Sequence, residues 1–257
     1  MILADSHTHL YLEEFDEDRY EMIERALAKG VKYFFLPNID KNSISPLLSL
    51  AGRYPYIYPM MGLHPTSVKD DWEEQLEVIE GKLREGGFVA VGEIGIDLYW
   101  DKTYRKEQEE AFRRQIALAR ELDLPIVIHS RNSFDEIFEI MDDVYEPGLR
   151  GVFHCFTGGR RHVRKILGWE GFRLGIGGVL TFRNAGLDNV ITKVGLEHLV
   201  LETDSPYLSP EPFRGKRNES SYIYYVAERL AEIKNISIEE VAEVTTRNTL
   251  ELFSVEL

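Results

Sequence analysis

Six potential metal-binding side chains stand at, or just past, the ends of separate short apolar runs. The pair His7 and His9 follows the run 2–4, Glu93 follows 88–91, His129 follows 126–128, His154 follows 152–153 and Asp204 follows 199–201. Imidazole nitrogens suit zinc, manganese or iron, whereas carboxylates also suit magnesium. His7 and His9 are two residues apart, so on an extended segment both rings project to one side, with Cα atoms about 6.6 Å apart. Seven histidines give about 0.2 such pairs by chance in a chain of this length, so the pair gains weight from its company. Glu93 could bridge two ions with its two oxygens. Asp204 could ligate and also accept a proton from water. Glu202 shares its parity and could orient a ligand from behind. A histidine or carboxylate at one strand end can equally be a hydrogen-bonded core residue or half of an ion pair. Six of them in this pattern point to a metal-dependent hydrolase.

Something must bring these residues together. Eight apolar runs, 2–4, 31–36, 57–61, 88–91, 126–128, 152–153, 173–176 and 199–201, are short and rich in β-branched or aromatic residues, and so predict buried strands. Helical spacing of apolar residues predicts helices over 19–29, 72–83, 104–122, 134–141, 163–167, 222–233 and 238–253. The last opens with Ser237 and Glu240 in capping-box spacing. Strand–helix alternation implies right-handed crossovers and a parallel sheet. Eight units in a chain of 257 residues fit a TIM-type (β/α)8 barrel forming a single domain, 1–257, with the ligand side chains meeting at its C-terminal mouth. An open doubly wound sheet is the second choice, but it gathers its ligand at one switch point. Cys155 has opposite parity to His154, so it is expected to face the helices as a small core residue. Gly175, Gly177 and Gly178 suggest close backbone approach.

The chain is 44% hydrophobic and 29% charged, with a formal charge of −14. That field does not steer nucleic acid to the protein. Local positive charge occurs at Arg160, Arg161, Arg164 and Lys165, and at Arg214, Lys216 and Arg217. Each cluster reads first as a solvated face, yet each lies downstream of a strand that ends in a candidate ligand. No apolar run is long enough for a membrane span, and no secretory signal is read at the N-terminus. A single cysteine allows no internal disulfide and fits a reducing cytoplasm.

Six segments carry a resemblance: Asp5-Ser6-His7-Thr8-His9-Leu10, Gly62-Leu63-His64-Pro65, Gly92-Glu93-Ile94-Gly95, Pro125-Ile126-Val127-Ile128-His129-Ser130-Arg131, His154-Cys155-Phe156-Thr157-Gly158 and Glu202-Thr203-Asp204-Ser205-Pro206-Tyr207-Leu208. Together with Arg214-Gly215-Lys216-Arg217-Asn218-Glu219, they resemble the TatD family of metal-dependent deoxyribonucleases, in family order from residue 5 to 219. The resemblance implies an amidohydrolase-type barrel, two divalent metal ions (zinc, magnesium or manganese) and phosphodiester hydrolysis on DNA strands or ends, of the 3′-5′ exonuclease type. It implies one ion on His7, His9, Glu93 and Asp204 and a second on Glu93, His129 and His154. His64 would stand near the substrate, and Arg131, Arg214, Lys216 and Asn218 would meet phosphate. Tyr99 and Trp100 could stack on a base or pack at the rim. Three positions depart from the family pattern: Tyr11, Thr66 and Ser220. The same chemistry could serve a small-molecule ester, amide or phosphoester, or aminoacyl-tRNA. A metal-stabilised scaffold is the non-enzymatic alternative. The expected state is a monomer or weak homo-oligomer.

Overall fold

The computed structural model describes residues 1–256. Eight parallel strands alternate with helices: β1 (Leu3–Asp5), α1 (Arg19–Ala28), β2 (Val31–Pro37), α2 (Ile44–Ala51), β3 (Ile57–Met60), α3 (Trp72–Glu85), β4 (Val91–Asp97), α4 (Arg105–Glu121), β5 (Ile126–Arg131), α5 (Phe134–Val144), β6 (Gly151–Phe153), α6 (Arg160–Ile166), β7 (Phe172–Ile176), α7 (Leu187–Ile191), β8 (Leu199–Leu201), α8 (Ile223–Lys234) and α9 (Ile238–Phe253). The strands pair in sequence order within β1–β3 and β4–β8. Bridges Met61–Val91 and Thr8–Ser205 join the two sheets, and Ser6 N–H donates to the Leu201 carbonyl at 3.0 Å. The ring therefore closes, and the chain folds as a TIM-type barrel. No helix among the described residues is long and apolar enough to cross a membrane.

Parallel strands covered by helices are buried on both faces, which is why their sequences run apolar without alternation. The larger apolar cluster lies between strands and helices and takes in Phe34, Leu36, Ile94, Ile128, Phe153 and Leu201. A second cluster collects Ala4, Phe35, Met60, Ala90, Val127, Val152 and Val200 with Leu250, Leu252 and Phe253. Seven strand segments each contribute one residue to it, so it fills the barrel floor, and the end of α9 plugs it from below. The Phe253 and Phe35 rings stack at 4.6 Å. Two residues after Val127, Val152 and Val200 come His129, His154 and Glu202. One parity thus carries the packed floor at one end of the strands and the polar site at the other.

Several boundaries differ from the sequence reading. The fourth strand is Val91–Asp97, later than 88–91, with its pairing to β5 irregular between Val91 and Ile94. Glu93 therefore lies within the strand rather than past its end. The pair His7 and His9 lies beyond β1, which ends at Asp5. The sequence reading also omits α2 and α7. Both are short, and α2 carries Pro46 in its first turn, where the missing N–H has no intrahelical partner to lose. At α9, the Ser237 hydroxyl accepts the Glu240 N–H at 3.1 Å, as the capping spacing implies.

Phe253→Ala removes the plug's largest ring from a site that is 2% exposed. It is expected to cost about 3–5 kcal/mol, read as a lower urea midpoint at unchanged slope. A loss below about 1 kcal/mol would contradict the plug.

Candidate metal centre

Glu93 is the hub of the C-terminal mouth. Its Oε1 lies 2.7 Å from His129 Nδ1, 2.7 Å from His154 Nε2 and 3.2 Å from His64 Nε2. Its Oε2 lies 3.2 Å from His7 Nε2 and 3.7 Å from His9 Nε2. Asp204 Oδ1 completes the ring, 3.7 Å from His7 and 3.6 Å from His9. Ligand-type atoms of His7, His9 and Asp204 gather within 4.8 Å of one another, as do those of His64, Glu93 and His129, and those of His7, His154 and Glu202. Burial works to raise the Glu93 pKa, but His154, His64 and His7 hold it well below the usual carboxylate range. Burial also opposes ionisation of Asp204, and His9, His154 and His7 outweigh it, so its pKa is lowered. Both carboxylates are therefore anionic at neutral pH in a largely dry site.

Local backbone features place these donors. At Gly95, φ is +142°, and a Cβ there would run into the His129 carbonyl, so β4 and β5 can approach only with glycine at this position. At Gly175, a Cβ would collide with the Glu202 carboxylate, which gives the close approach expected on the seventh strand its partner. Asp204 takes φ +55° after β8 has ended, and its N–H donates to the His7 carbonyl at 2.9 Å. Cys155 corrects the parity expectation. Strand geometry stops at Phe153 and Cys155 takes φ +46°. Its side chain lines the cavity instead of facing the helices, and burial pushes its thiol pKa well up. Its N–H donates to Glu202.

Polar contacts behind four of the five rings decide which nitrogen faces the site. The Tyr11 hydroxyl donates to the Pro37 carbonyl at 2.7 Å, so its oxygen accepts from His9 Nδ1 at 3.1 Å, leaving the His9 Nε2 lone pair inward. His129 Nε2 meets Asp97 Oδ2 at 3.0 Å, leaving Nδ1 inward. His154 Nδ1 lies 3.6 Å from Glu202 Oε1, leaving Nε2 inward. His64 differs. Its Nδ1 accepts the Thr66 N–H at 3.1 Å, so its Nε2 carries the proton and presents a donor to the site. These arrangements match the carboxylate–histidine pattern that orients metal ligands, and the inward donor set suits borderline divalent ions. Asp97 and Tyr11 were not picked out as orienting residues from sequence. Asp97 is four residues after Glu93 on the same strand, a parity that could have marked it.

The cavity over these donors has a volume of about 750 Å³ and is lined by, among others, His64, Thr66, Trp100, Arg131 and Tyr207. The Arg131 guanidinium lies 3.9 Å from the Tyr99 ring centre and 5.2 Å from that of Trp100. The other residues expected to meet phosphate are not in the cavity wall. Asn218 is fully buried. Its amide donates to the carbonyls of Thr203 and Tyr207, both at 2.7 Å, and its oxygen accepts the Glu219 N–H. It builds the loop after β8. Arg214 sits over Phe182 at 4.1 Å and Lys216 over Phe213 at 5.9 Å. Arg217 grips Asp18 with both terminal nitrogens, at 2.7 and 2.8 Å, and this holds the Asp18 pKa down at about 2. On α6, Arg161 pairs with Asp135 and Lys165 with Asp142.

A closed parallel barrel whose mouth gathers five histidines and two carboxylates around one cavity defines the protein as a metal-dependent hydrolase. Comparison with known proteins agrees. The family described as TatD related DNase matches residues 4–254, and the chain belongs to the TatD family. It is 40% identical to the Bacillus subtilis uncharacterized metal-dependent hydrolase YabD, over 99% of this chain and 100% of that one. It is 34% identical to the Escherichia coli uncharacterized metal-dependent hydrolase YcfH, over 100% of this chain and 97% of that one. The crystal structure of YjjV, a TatD homolog from Escherichia coli K12, superposes with a TM-score of 0.93 at 30% identity, covering 99% and 98% of the two chains.

Two predictions come from this geometry. Burial opposes protonation of His129 and His154, but Asp97, Glu93 and Glu202 outweigh it, and both imidazoles have raised pKa values. The ligand form is neutral imidazole, so cation binding displaces these protons. Affinity should fall by about tenfold per pH unit for each displaced proton as pH drops below the raised pKa values. Calorimetric titration in buffers of different ionisation enthalpy checks this, and a pH-independent affinity without proton release would refute it. Separately, Asp97→Ala should weaken metal binding about 10- to 100-fold while leaving the fold's circular dichroism unchanged.

Proposed function

We propose that the protein hydrolyses phosphodiester bonds in DNA, as a 3′-5′ exonuclease-type deoxyribonuclease using two divalent ions. The supporting observation is the juxtaposition in one cavity of a convergent nitrogen and carboxylate donor set with the Arg131 guanidinium, a group suited to phosphate. His7, His9, Glu93 and Asp204 would hold one ion, and Glu93, His129 and His154 the other. Zinc, manganese or magnesium bound there would polarise a phosphoryl oxygen and lower the pKa of a water. Asp204 is the site carboxylate that solvent reaches: its side chain is 15% exposed, against 3% for Glu93 and 0% for Glu202. Anionic and accessible, it takes the proton of the attacking water. His64 Nε2–H donates a hydrogen bond to a substrate oxygen, and the Thr66 N–H keeps it in that tautomer. Arg131 binds a phosphate next to the scissile one. The single Cys155 suits the reducing cytoplasm as the place of action.

Arg214 and Lys216 lie off the cavity wall, which favours one alternative: hydrolysis of a small ester or amide that bears one anionic group. One experiment separates the two. Protein stripped by chelator and reloaded with magnesium, manganese or zinc is given 5′-labelled single-stranded DNA. Metal-dependent shortening, lost in Glu93→Ala, is expected. Asp204→Asn should keep the fold and lose about 10²- to 10⁴-fold in rate. Intact DNA, alongside cleavage of carboxylic esters or amides by the same loaded protein, would decide for the alternative.

A further inference from the structure

The placement of positive charge limits what the site can grip. Among the described residues, Arg131 is the one arginine or lysine in the cavity wall. It lies over the Tyr99 ring, 3.9 Å from its centre, its backbone N–H donates to Ser133 Oγ at 3.1 Å, and its carbonyl accepts the Leu98 N–H at 2.9 Å. Among the described residues no carboxylate or carbonyl pairs with this guanidinium, so its fork of donors is open to one phosphate group. Five of the basic side chains downstream have partners outside the cavity wall. Arg217 is bound to Asp18, Arg161 to Asp135 and Lys165 to Asp142, while Arg214 and Lys216 rest on Phe182 and Phe213.

A long nucleic acid is gripped differently. It is followed by a row of lysines and arginines, each neutralising a phosphate and releasing a counterion. Here the whole chain carries a net charge of −14, a field that does not draw further phosphates to the surface. A cavity of about 750 Å³ is of the size that encloses a small ligand. At its rim stands Trp100, 71% exposed, with Tyr207, 48% exposed, also lining the cavity. These rings offer a flat surface without adding charge.

We infer that the site recognises a dinucleotide-sized unit: the scissile phosphodiester and a single flanking phosphate on Arg131. Short oligonucleotides ending in a phosphate should therefore be as good substrates as long strands. This rests on the phosphodiester reading above and adds a length limit to it.

The test compares kcat/KM of metal-loaded protein on three substrates: a dinucleotide with a 5′-phosphate, one with a 3′-phosphate, and a single strand of about 20 nucleotides, each across a range of salt concentrations. The better dinucleotide should come within about tenfold of the long strand, and the long strand should show a log–log salt slope of about −0.7, the value for one neutralised phosphate on a single strand. Arg131→Gln should flatten that slope and lower kcat/KM on the phosphorylated dinucleotide about tenfold or more. A long strand favoured by more than about tenfold, or a slope steeper than about −2, overturns the length limit and leaves the nuclease reading standing. No cleavage of any of the three overturns the phosphodiester reading and this inference together.

Discussion

A carboxylate buried to 3% exposure in a protein interior must be compensated, because an isolated buried charge is strongly disfavoured. Glu93 is that carboxylate, and much of the barrel's upper half answers to it. Five imidazoles stand within 3.7 Å of its two oxygens. They come from the segment after β1, the turn after β3, β5 and the residue that follows β6. The irregular pairing of β4 with β5 turns the Glu93 side chain inward, and Gly95 lets the two strands meet closely enough for His129 to reach it. Removing the carboxylate would leave five rings facing one another with no common partner.

Around this hub runs a ring of polar residues whose work is orientation. Tyr11 sets His9, Asp97 sets His129, Glu202 backs His154 and Thr66 sets His64. Asp5, whose pKa burial pushes up to about 7, accepts from both the N–H and the hydroxyl of Thr203, tying β1 to the segment that carries Asp204. Tyr11, Thr66 and Ser220 also belong to this ring. Tyr11 and Thr66 each touch a site histidine, and the Ser220 hydroxyl meets that of Thr8 at 3.3 Å, between His7 and His9.

The barrel and its donor set were legible in the sequence for one reason. Apolar runs of a parallel barrel end where solvent begins, so a histidine after 126–128 or 152–153 is conspicuous against its strand. Glu93 was legible as a site residue but not as a residue within a strand, since the polar and glycine positions from 92 to 97 break the apolar pattern that marks a strand's extent. Parity failed at Cys155, where a left-handed φ ends the alternation one residue past His154. The basic loop misled for a different reason. A run such as Arg214-Gly215-Lys216-Arg217-Asn218 advertises charge but not its counter-charges. Asp18 lies about 200 residues away in sequence and shows as the partner of Arg217 only once the chain is folded. Asn218 has a similar history: its two acceptors are main-chain carbonyls, which no side-chain pattern announces.

The floor plug has a consequence for how the molecule comes into being. Its apolar residues sit at 250–253, synthesised after all eight strands, and they cover the inward side chains of Ala4, Phe35 and Val127. At the other end, His7 waits for Asp204, almost 200 positions later in the chain. A nascent chain on the ribosome therefore holds an open stave of strands with a wet floor and an incomplete ring of donors. Closure of the barrel and completion of the donor ring wait for β8 and Asp204, and exclusion of water from the base waits for α9. A chain that stopped before α9 would carry every site residue named above and still leave the floor of the barrel uncovered.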